Sequence, residues 1–477
     1  MKKYISLWKN LPDSAKSSIL FVFSTFLLKA ISFLTTPVFT RIMEPSQYGI
    51  VTNYNSWVSI IEVFALLGLT SAGVLNVGLN DYRTSRNRYL SSLLGLTNIA
   101  TLLTFAVLLL LRLLLDSGFW LSDELLMIMF VHFLFHPAQI FWMTKQRYEF
   151  HYKASTAVTI GSVLISQLLS VILVMSAQNN LGNIRVLANE LGTLLFAVPL
   201  YILLLARGRA YINLPLWKSV LSFALPLIPH YLAQHIMSSS DRIMITELIG
   251  MADTGIYGVV ANVGTIAMVF WSAINASIVP ITFESINRNE FVKLKKTINS
   301  ILTGYGIACA GIILIAPEVL NILAPKEYHD GVYAIPPLVA VSFLNALYNV
   351  YANVEFYYKK SSTIASSTIT ATLLNLILNF LLIPRYSYTG AAYATLISNA
   401  VLIWMHYCGY RKCNNKIYND RYIGVLTVSI LAFVCISNVL YISLILRIFI
   451  AASILIGCLV NYKKILKILR SILKEWA

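Results

Sequence analysis

Long apolar stretches separated by short polar gaps repeat along this chain from Ser18 to Tyr462. Each stretch approaches or exceeds the roughly 20 apolar residues that an α-helix needs to cross a bilayer. The pattern therefore predicts an all-α integral membrane protein with about fourteen transmembrane helices. In chain order the predicted spans are Ser18–Ile42, Gly49–Val77, Leu90–Leu115, Leu125–Thr144, Ala154–Ala177, Arg185–Ala206, Trp217–Ile249, Gly255–Ile281, Thr297–Leu323, Val332–Tyr357, Thr363–Ile383, Tyr388–Tyr410, Tyr422–Leu440 and Tyr441–Tyr462.

Basic residues are concentrated in alternate gaps between these stretches. Positive charge is retained on the cytoplasmic side during membrane insertion. The alternation therefore predicts an even number of spans with both termini in the cytoplasm. The basic gaps hold, among others, Lys2, Lys3, Lys9, Arg83, Arg86, Lys145, Arg147, Arg207, Arg209, Arg288, Lys293, Lys359, Lys360, Arg411, Lys412, Lys463 and Lys464. The intervening gaps hold Asp116, Asp123, Glu124, Asp253, Glu318, Glu327 and Asp330.

The composition agrees with a membrane protein. Hydrophobic residues make up 58% of the chain and charged residues 12%, whereas a soluble domain carries about 25% charged residues. The net charge of +16 lies mostly in the predicted cytoplasmic loops, where anionic lipid headgroups are found. We therefore predict membrane lipids as partners and no nucleic acid.

Sequence motifs of enzymes and nucleotide-driven pumps are missing from the chain. There is no phosphate-binding G-x-x-x-x-G-K-[ST] loop, no H-E-x-x-H and no G-x-S-x-G. His132 and His136 have the four-residue spacing of some metal ligands, but no acidic or Cys partner lies nearby on that span. We predict a transporter without catalytic residues, cofactor or metal.

The first twelve predicted spans divide into two halves of six. The predicted organisation is an N-terminal half over residues 1–206, a second half over 207–411, and a closing helix pair with a basic tail over 412–477. Arg41 precedes Tyr48-Gly49, and Arg242 precedes Tyr257-Gly258, at corresponding places in the two halves. Six helices per half give both halves the same orientation, which predicts a parallel repeat with the transport site between the halves.

Two segments at these places carry a resemblance to a known family. The chain resembles the polysaccharide flippases, the O-antigen and capsule repeat-unit translocases of the multidrug/oligosaccharidyl-lipid/polysaccharide exporter superfamily. The residues concerned are Thr40-Arg41 with Pro45 and Tyr48-Gly49, and Ser240-Asp241-Arg242 with Gly255-Ile256-Tyr257-Gly258.

The resemblance implies an alternating-access flippase of the bacterial inner membrane. Its substrate would be an undecaprenyl-pyrophosphate-linked oligosaccharide, carried from the cytoplasmic to the outer leaflet. A polysaccharide polymerase and a chain-length regulator would be its partners. Two alternatives remain, a multidrug or toxin ion antiporter of the same superfamily and an O-antigen polymerase. Antiporters favour acidic cavities, and polymerases carry a large outward loop that this chain lacks.

Cations inside apolar stretches are the first candidates for a substrate site. A charge at the bilayer centre costs about 2.5–3.5 kcal/mol, and it usually faces a cavity or another helix. Lys29 shares a helix face with Thr25, Ser32 and Thr36; its two interpretations are an anion ligand and a structural partner of Glu62.

The adjacent pair Asp241-Arg242 lies in the seventh predicted span. Arg242 suits bidentate binding of a pyrophosphate. Because adjacent helical residues diverge by about 100°, we expect Asp241 to pair with another helix. The alternative interpretation is an ion pair that closes the outer side.

Polar side chains on the second and tenth spans complete the predicted site. Asn345, Asn349 and Asn353 share a face that suits sugar hydroxyls, or alternatively helix–helix hydrogen bonds. The predicted gate or coupling residues are Glu62, Asp241, Glu355 and Arg41. Buried carboxylates of this kind can carry protons.

Overall fold

The computed structural model describes residues 13–115, 121–414 and 416–460, and every regular element within these ranges is a helix. The predicted all-α class is confirmed. The α-helices, numbered in chain order, are α1 (Asp13–Ile42), α2 (Pro45–Ala65), α3 (Ala72–Asp81), α4 (Arg86–Leu115), α5 (Asp123–Tyr148), α6 (Tyr152–Ser176), α7 (Leu181–Gly208), α8 (Leu214–Ala224), α9 (Ile228–Leu248), α10 (Met251–Asn287), α11 (Phe291–Leu314), α12 (Ala316–Leu323), α13 (Ile335–Tyr357), α14 (Ser361–Asn414), α15 (Asp420–Leu440) and α16 (Leu444–Val460).

Nine helices within the described ranges are long and apolar enough to cross a membrane. One of them, α14, contains the predicted eleventh and twelfth spans and bends at Ser387, where φ is 51°. The structure thus supports a multi-pass membrane protein, while the number fourteen stays a prediction. The predicted cytoplasmic termini and most of the basic tail lie outside the described residues.

The chain forms two compact units, Met1–Gly255 and Ile256–Ala477. The two units are defined by which residues lie close together in space, whereas the predicted repeat compares one half of the chain with the other. The predicted repeat boundaries at residues 207 and 412 therefore stay predictions. Each unit is described by itself below.

The second predicted span, Gly49–Val77, is wrong as one continuous helix. It is interrupted between α2 and α3, where Leu67 has φ 51° and Gly68 has φ 66°. A Cβ on Gly68 would lie 3.0 Å from the ring of Tyr231 in α9. Packing against α9 therefore accompanies the break, which hydropathy alone does not reveal.

Prolines interrupt two other predicted spans. The seventh is divided by a 3₁₀ turn at Leu225–Leu227, which contains Pro226. The ninth is divided between α11 and α12, and Pro317 lies in the first turn of α12. Proline lacks the N–H that would continue the hydrogen-bond ladder, so these breaks have a local cause.

Buried aromatic contacts hold the helices of the first unit together. The Trp217 indole of α8 donates to the Ser92 carbonyl of α4 at 2.9 Å. Phe105 of α4 packs on Phe133 of α5, with ring centroids 6.3 Å apart. These contacts fix α4 and α5 beside the polar residues described below.

In the second unit α13 is the most enclosed helix, and most of its residues are buried. The Tyr305 ring of α11 stacks on Phe343 of α13, with centroids 6.3 Å apart. Near the end of the described chain, Arg447 of α16 forms an ion pair of 2.7 Å with Glu318 of α12. This bond ties the predicted closing helix pair to the rest of the second unit.

Candidate functional site

Lys29 lies in α1 with an exposed side chain. Among the described residues it has no hydrogen-bond or ion-pair partner. Ser32 of the same face is exposed, whereas Thr36 is buried and donates to the Ser32 carbonyl at 3.0 Å. The polar helix face predicted around Lys29 is therefore solvent-accessible at Lys29 and Ser32 and buried at Thr36.

Glu62, the alternative partner predicted for Lys29, is engaged elsewhere. It lies in the last turn of α2, directly before the break, and accepts a hydrogen bond from Thr70 at 3.2 Å. This leaves Lys29 as an accessible cation within the first predicted span.

A chain of polar side chains positions α1. The Thr35 hydroxyl donates to the Gln167 side chain of α6 at 3.0 Å. Gln167 in turn donates to Asn189 of α7 at 3.3 Å. Such interhelical bonds orient helices within a membrane, and this one fixes the rotation of α1 six residues from Lys29.

Asp241 and Arg242 in α9 bond to each other. The Arg242 Nη1 lies 3.3 Å from Asp241 Oδ1 and donates to the Ser238 carbonyl at 2.6 Å. The long arginine side chain folds back along its own helix to reach the neighbouring carboxylate, and the expected pairing of Asp241 with another helix stays a prediction. Asp241 is buried and Arg242 is half-buried, so the carboxylate orients a partly accessible guanidinium.

Arg41, at the end of α1, is exposed and donates to the Pro37 carbonyl at 2.8 Å. Its side chain also folds back along its own helix. Its predicted gating role stays a prediction.

The asparagine face of α13 bonds to Asn275 of α10. Asn275 donates to Asn349 at 3.4 Å and accepts from Asn353 at 3.2 Å. Asn345 and Asn349 are half-buried, whereas Asn353 is buried. The helix–helix interpretation thus holds for Asn349 and Asn353, and sugar contact at the half-buried positions stays a prediction.

Glu355, the other predicted coupling acid, pairs with His406 of α14. Both side chains are fully buried, and the carboxylate Oε2 meets the imidazole Nδ1. A Cβ on Gly409 would lie 2.0 Å from Glu355 Oε1, so this glycine leaves room for the acid. Among the described residues, Glu355 Oε1 and His406 Nε2 have no hydrogen-bond partner.

A second carboxylate–histidine pair joins α5 and α7 in the first unit. His132 Nδ1 lies 2.6 Å from Glu190 Oε2, and the Tyr54 hydroxyl of α2 donates to Glu190 Oε1 at 3.4 Å. All three side chains are buried.

Sequence reasoning missed Glu190 and His406. Glu190 is an acid within the predicted span Arg185–Ala206. Glu62 and Glu355 were selected because they are acids inside apolar stretches, and Glu190 meets the same criterion. His406 carries no such signal, because an isolated histidine in an apolar stretch is usually a packing residue.

The first turns of α2 and α10 meet through two glycines. A Cβ on Gly49 would lie 1.9 Å from the Met251 carbonyl oxygen, and one on Gly255 would lie 1.9 Å from the Pro45 carbonyl oxygen. Both glycines belong to the two segments that carry the family resemblance. The close approach gives a physical reason for glycine at both positions.

Comparisons with known proteins agree with this architecture. The family model described as "Polysaccharide biosynthesis protein" matches residues 14–286, more than half of the chain. "Lsg locus putative protein 1" of Haemophilus influenzae is 22% identical over 374 residues, covering 75% of this chain and 88% of that protein. "Probable low-salt glycan biosynthesis flippase Agl15" of Haloferax volcanii is 23% identical over 193 residues, covering 40% of this chain and 41% of that protein.

Solved structures show the same fold at low sequence identity. The lipid II flippase MurJ in an inward closed conformation matches with a TM-score of 0.65 and 13% identity, covering 94% of this chain and all of that one. An inward-facing multidrug resistance MATE family transporter matches with a TM-score of 0.62 and 13% identity, covering 82% of this chain and 95% of that one. The predicted resemblance to polysaccharide-exporting membrane proteins is confirmed at the level of the family, and the chain belongs to the polysaccharide biosynthesis protein family.

Proposed function

We propose that this protein is a flippase for undecaprenyl-pyrophosphate-linked oligosaccharide repeat units. It carries them from the cytoplasmic to the outer leaflet of the bacterial inner membrane for O-antigen or capsule biosynthesis. Within the family, the observation that carries the proposal is Lys29, a cation in the first predicted span that is exposed and has no partner among the described residues. Such a charge is retained where it meets water or an anion.

The chemistry of the substrate fits the accessible polar groups. A pyrophosphate is costly to move through hydrocarbon unless cations replace part of its hydration. Lys29 provides a point charge, and Arg242 provides a planar guanidinium held by Asp241. The half-buried Asn345 and Asn349 offer amide donors and acceptors to sugar hydroxyls.

Transport would proceed by alternating access. Both termini lie in the cytoplasm in this scheme, as the loop charges predict. Arg41 and Asp241 act at the gate, while Glu62 and Glu355 serve coupling. The prenyl tail stays in lipid, and the flipped product passes to a polymerase and its chain-length regulator.

A multidrug antiporter is the second candidate, and Glu62 is the observation that favours it. A half-buried acid within the interrupted second predicted span suits a cationic drug. The accessible Lys29 opposes that cargo by charge repulsion. Drug tolerance that rises with expression of the chain, without any effect on surface glycan, would select the antiporter.

The test compares surface polysaccharide in Lys29→Ala, Arg242→Ala and a control, at matched protein levels. The control is Arg288→Ala, since Arg288 is an exposed cation that pairs with exposed Glu284 at 2.8 Å. We expect both site variants to lose most surface polysaccharide and the control to keep it. Normal polysaccharide in both site variants would rule out a cationic substrate site at these residues.

A further inference from the structure

Two polar connections of the first unit, between α3 and α4 and between α5 and α6, share one network of charged side chains. Both belong to the basic gaps that predict the cytoplasmic side. Residues 80–88 and 145–153 hold six cations and two acids, namely Arg83, Arg86, Arg88, Lys145, Arg147, Lys153, Asp81 and Glu149. Asp81 is exposed and forms no ion pair within the part of the chain that the structure describes. The cations therefore outnumber the acids that could neutralise them.

Glu149 is the acid at the centre of this network. Its Oε1 accepts from Arg86 Nη1 at 3.0 Å. Its Oε2 lies 3.9 Å from Lys145 Nζ and 3.7 Å from His151 Nδ1. Lys145 makes its short bond, of 2.6 Å, to the neutral amide of Asn87. One carboxylate thus serves two permanent cations, and the network keeps a surplus of positive charge.

Arg83 is positioned by an amide rather than by an acid. Its Nε and Nη2 donate to Asn80 Oδ1 at 3.2 and 2.8 Å. The same oxygen accepts from the Tyr148 hydroxyl at 3.3 Å. The Arg86 guanidinium lies over the Tyr148 ring, 4.9 Å from its centroid. Arg83 is exposed, so an oriented guanidinium is open to solvent with no acid bonded to it among the described residues.

A purely structural role explains Arg86 but not Arg83. Arg86 Nε donates to the Leu79 carbonyl in the last turn of α3 at 3.1 Å, and Nη1 bonds Glu149 across the two connections. Arg83 instead donates to Asn80, three residues before it in the same connection. Its side chain therefore adds little to holding the two connections together.

The network lies where lipid headgroups are expected. It is formed at the ends of α3, α4 and α5, just beyond the predicted spans that end at Val77 and Thr144. Phe150, in the same connection as Glu149, is 51% exposed, and an exposed phenyl ring favours the lipid boundary over water. An anion carried by a lipid is therefore well placed to reach Arg83.

We propose that Arg83, with the surplus charge around it, forms a loading site for the diphosphate headgroup of the lipid-linked substrate. The proposal rests on the proposed function for that substrate. A guanidinium binds phosphate oxygens bidentately. A diphosphate carries more charge than the phosphodiester of a phospholipid, so the surplus favours the diphosphate. The site holds the substrate at the cytoplasmic surface before Lys29 and Arg242 take it.

Binding of farnesyl diphosphate tests the loading site by itself. The full chain carries Lys29→Ala and Arg242→Ala, so that the proposed transport site does not contribute, and is placed in phosphatidylcholine nanodiscs. In this background we expect Arg83→Gln to weaken binding about tenfold, the effect of losing one hydrogen bond from a charged group. Arg83→Lys should lose less. The control Arg411→Gln should lose nothing, because Arg411 has its own acid, Asp420, at 3.7 Å.

Glu149→Gln should have the opposite effect on affinity. Removing the shared acid increases the surplus of positive charge, so farnesyl diphosphate should bind more tightly. A network that only fixes the two connections predicts no such gain. Melting temperatures of all variants identify any loss of binding that comes from misfolding.

Three results would overturn the proposal. The first is equal affinity with and without Arg83→Gln, and the second is a Glu149→Gln variant that binds no more tightly. The third is competition by farnesyl monophosphate, or by phosphatidylglycerol in the nanodisc, that matches competition by farnesyl diphosphate. The third result would assign the surface to ordinary anionic lipids.

Export measurements separate this proposal from the proposed function. Arg83→Gln should lower surface polysaccharide when lipid-linked substrate is scarce and approach the parent when its supply is raised, because loading depends on concentration. Lys29→Ala should stay low at both levels of supply. Normal export by Arg83→Gln at scarce supply contradicts the loading site alone. Normal export in both Lys29→Ala and Arg242→Ala contradicts the proposed function instead.

Discussion

Gly49 and Gly255 occupy equivalent positions in α2 and α10, each four residues after the first residue of its helix. Each leaves space for the first carbonyl of the other helix, at Met251 and Pro45 respectively. The contact is reciprocal and is made by backbone, which cannot move aside as a flexible side chain can. It joins the two short segments through which the family resemblance is visible.

Alanine at Gly49 or Gly255 should therefore destabilise the protein by about 1–3 kcal/mol, the cost of overpacking a close contact. Gly304→Ala is the matched control, because a Cβ at that position would have no neighbouring atom within 4 Å. Alanine is favoured over glycine in a helix by about 1 kcal/mol, so the control should be neutral or more stable. Melting temperatures in detergent measure the difference, and equal melting temperatures for all three variants would contradict this role of the contact.

Charge and geometry can be separated at Arg242. Arg242→Lys should export partially, because the charge survives while the planar guanidinium, which suits bidentate binding of a phosphate, is lost. Arg242→Glu should be null, because it places two adjacent acids in α9. Surface polysaccharide at matched expression is the readout. If Arg242→Glu exports as well as the parent, Arg242 neither binds the substrate nor acts at a gate.

The buried Glu355–His406 pair predicts a stability effect. His406→Ala leaves a carboxylate buried without its partner, which costs about 3–5 kcal/mol when a buried pair is broken. The double variant Glu355→Gln with His406→Ala removes the charge and should recover part of that loss. Thermal unfolding of the parent, the single variant and the double variant checks this. A double variant that is less stable than the single one would show that the carboxylate is not held by the imidazole.

Hydropathy predicted most helices, because membrane-spanning segments are selected by apolar length. Hydropathy did not predict the break at Leu67 and Gly68, because the residues there are as apolar as their neighbours. The backbone turn accompanies packing against Tyr231, which hydropathy does not report. The sequence did not predict the pairing of His132 with Glu190, because the two residues lie 58 positions apart in the chain. Pairing across helices is a tertiary property that one sequence does not display.

Topology can be checked from the loops. Single labels at Asn289 and Asn414 should be accessible from the cytoplasm, and labels at Asp253 and Asp330 from the outside. The reason is the alternation of basic and acidic gaps. Membrane-impermeant thiol reagents on a cysteine-free background distinguish the two sides. A reversed site would invalidate the span assignment on either side of it.

The most direct test of the flippase is the leaflet in which its lipid-linked oligosaccharide resides. The measurement quantifies the fraction of lipid-linked oligosaccharide that a membrane-impermeant glycan-modifying reagent modifies from the outer side. Three kinds of cell are compared: cells without the gene, cells with the parent chain and cells with Lys29→Ala. We predict that lipid-linked oligosaccharide accumulates out of reach without the gene and in Lys29→Ala, and becomes reachable with the parent chain. An equal reachable fraction in cells with and without the gene would contradict the proposed flippase activity.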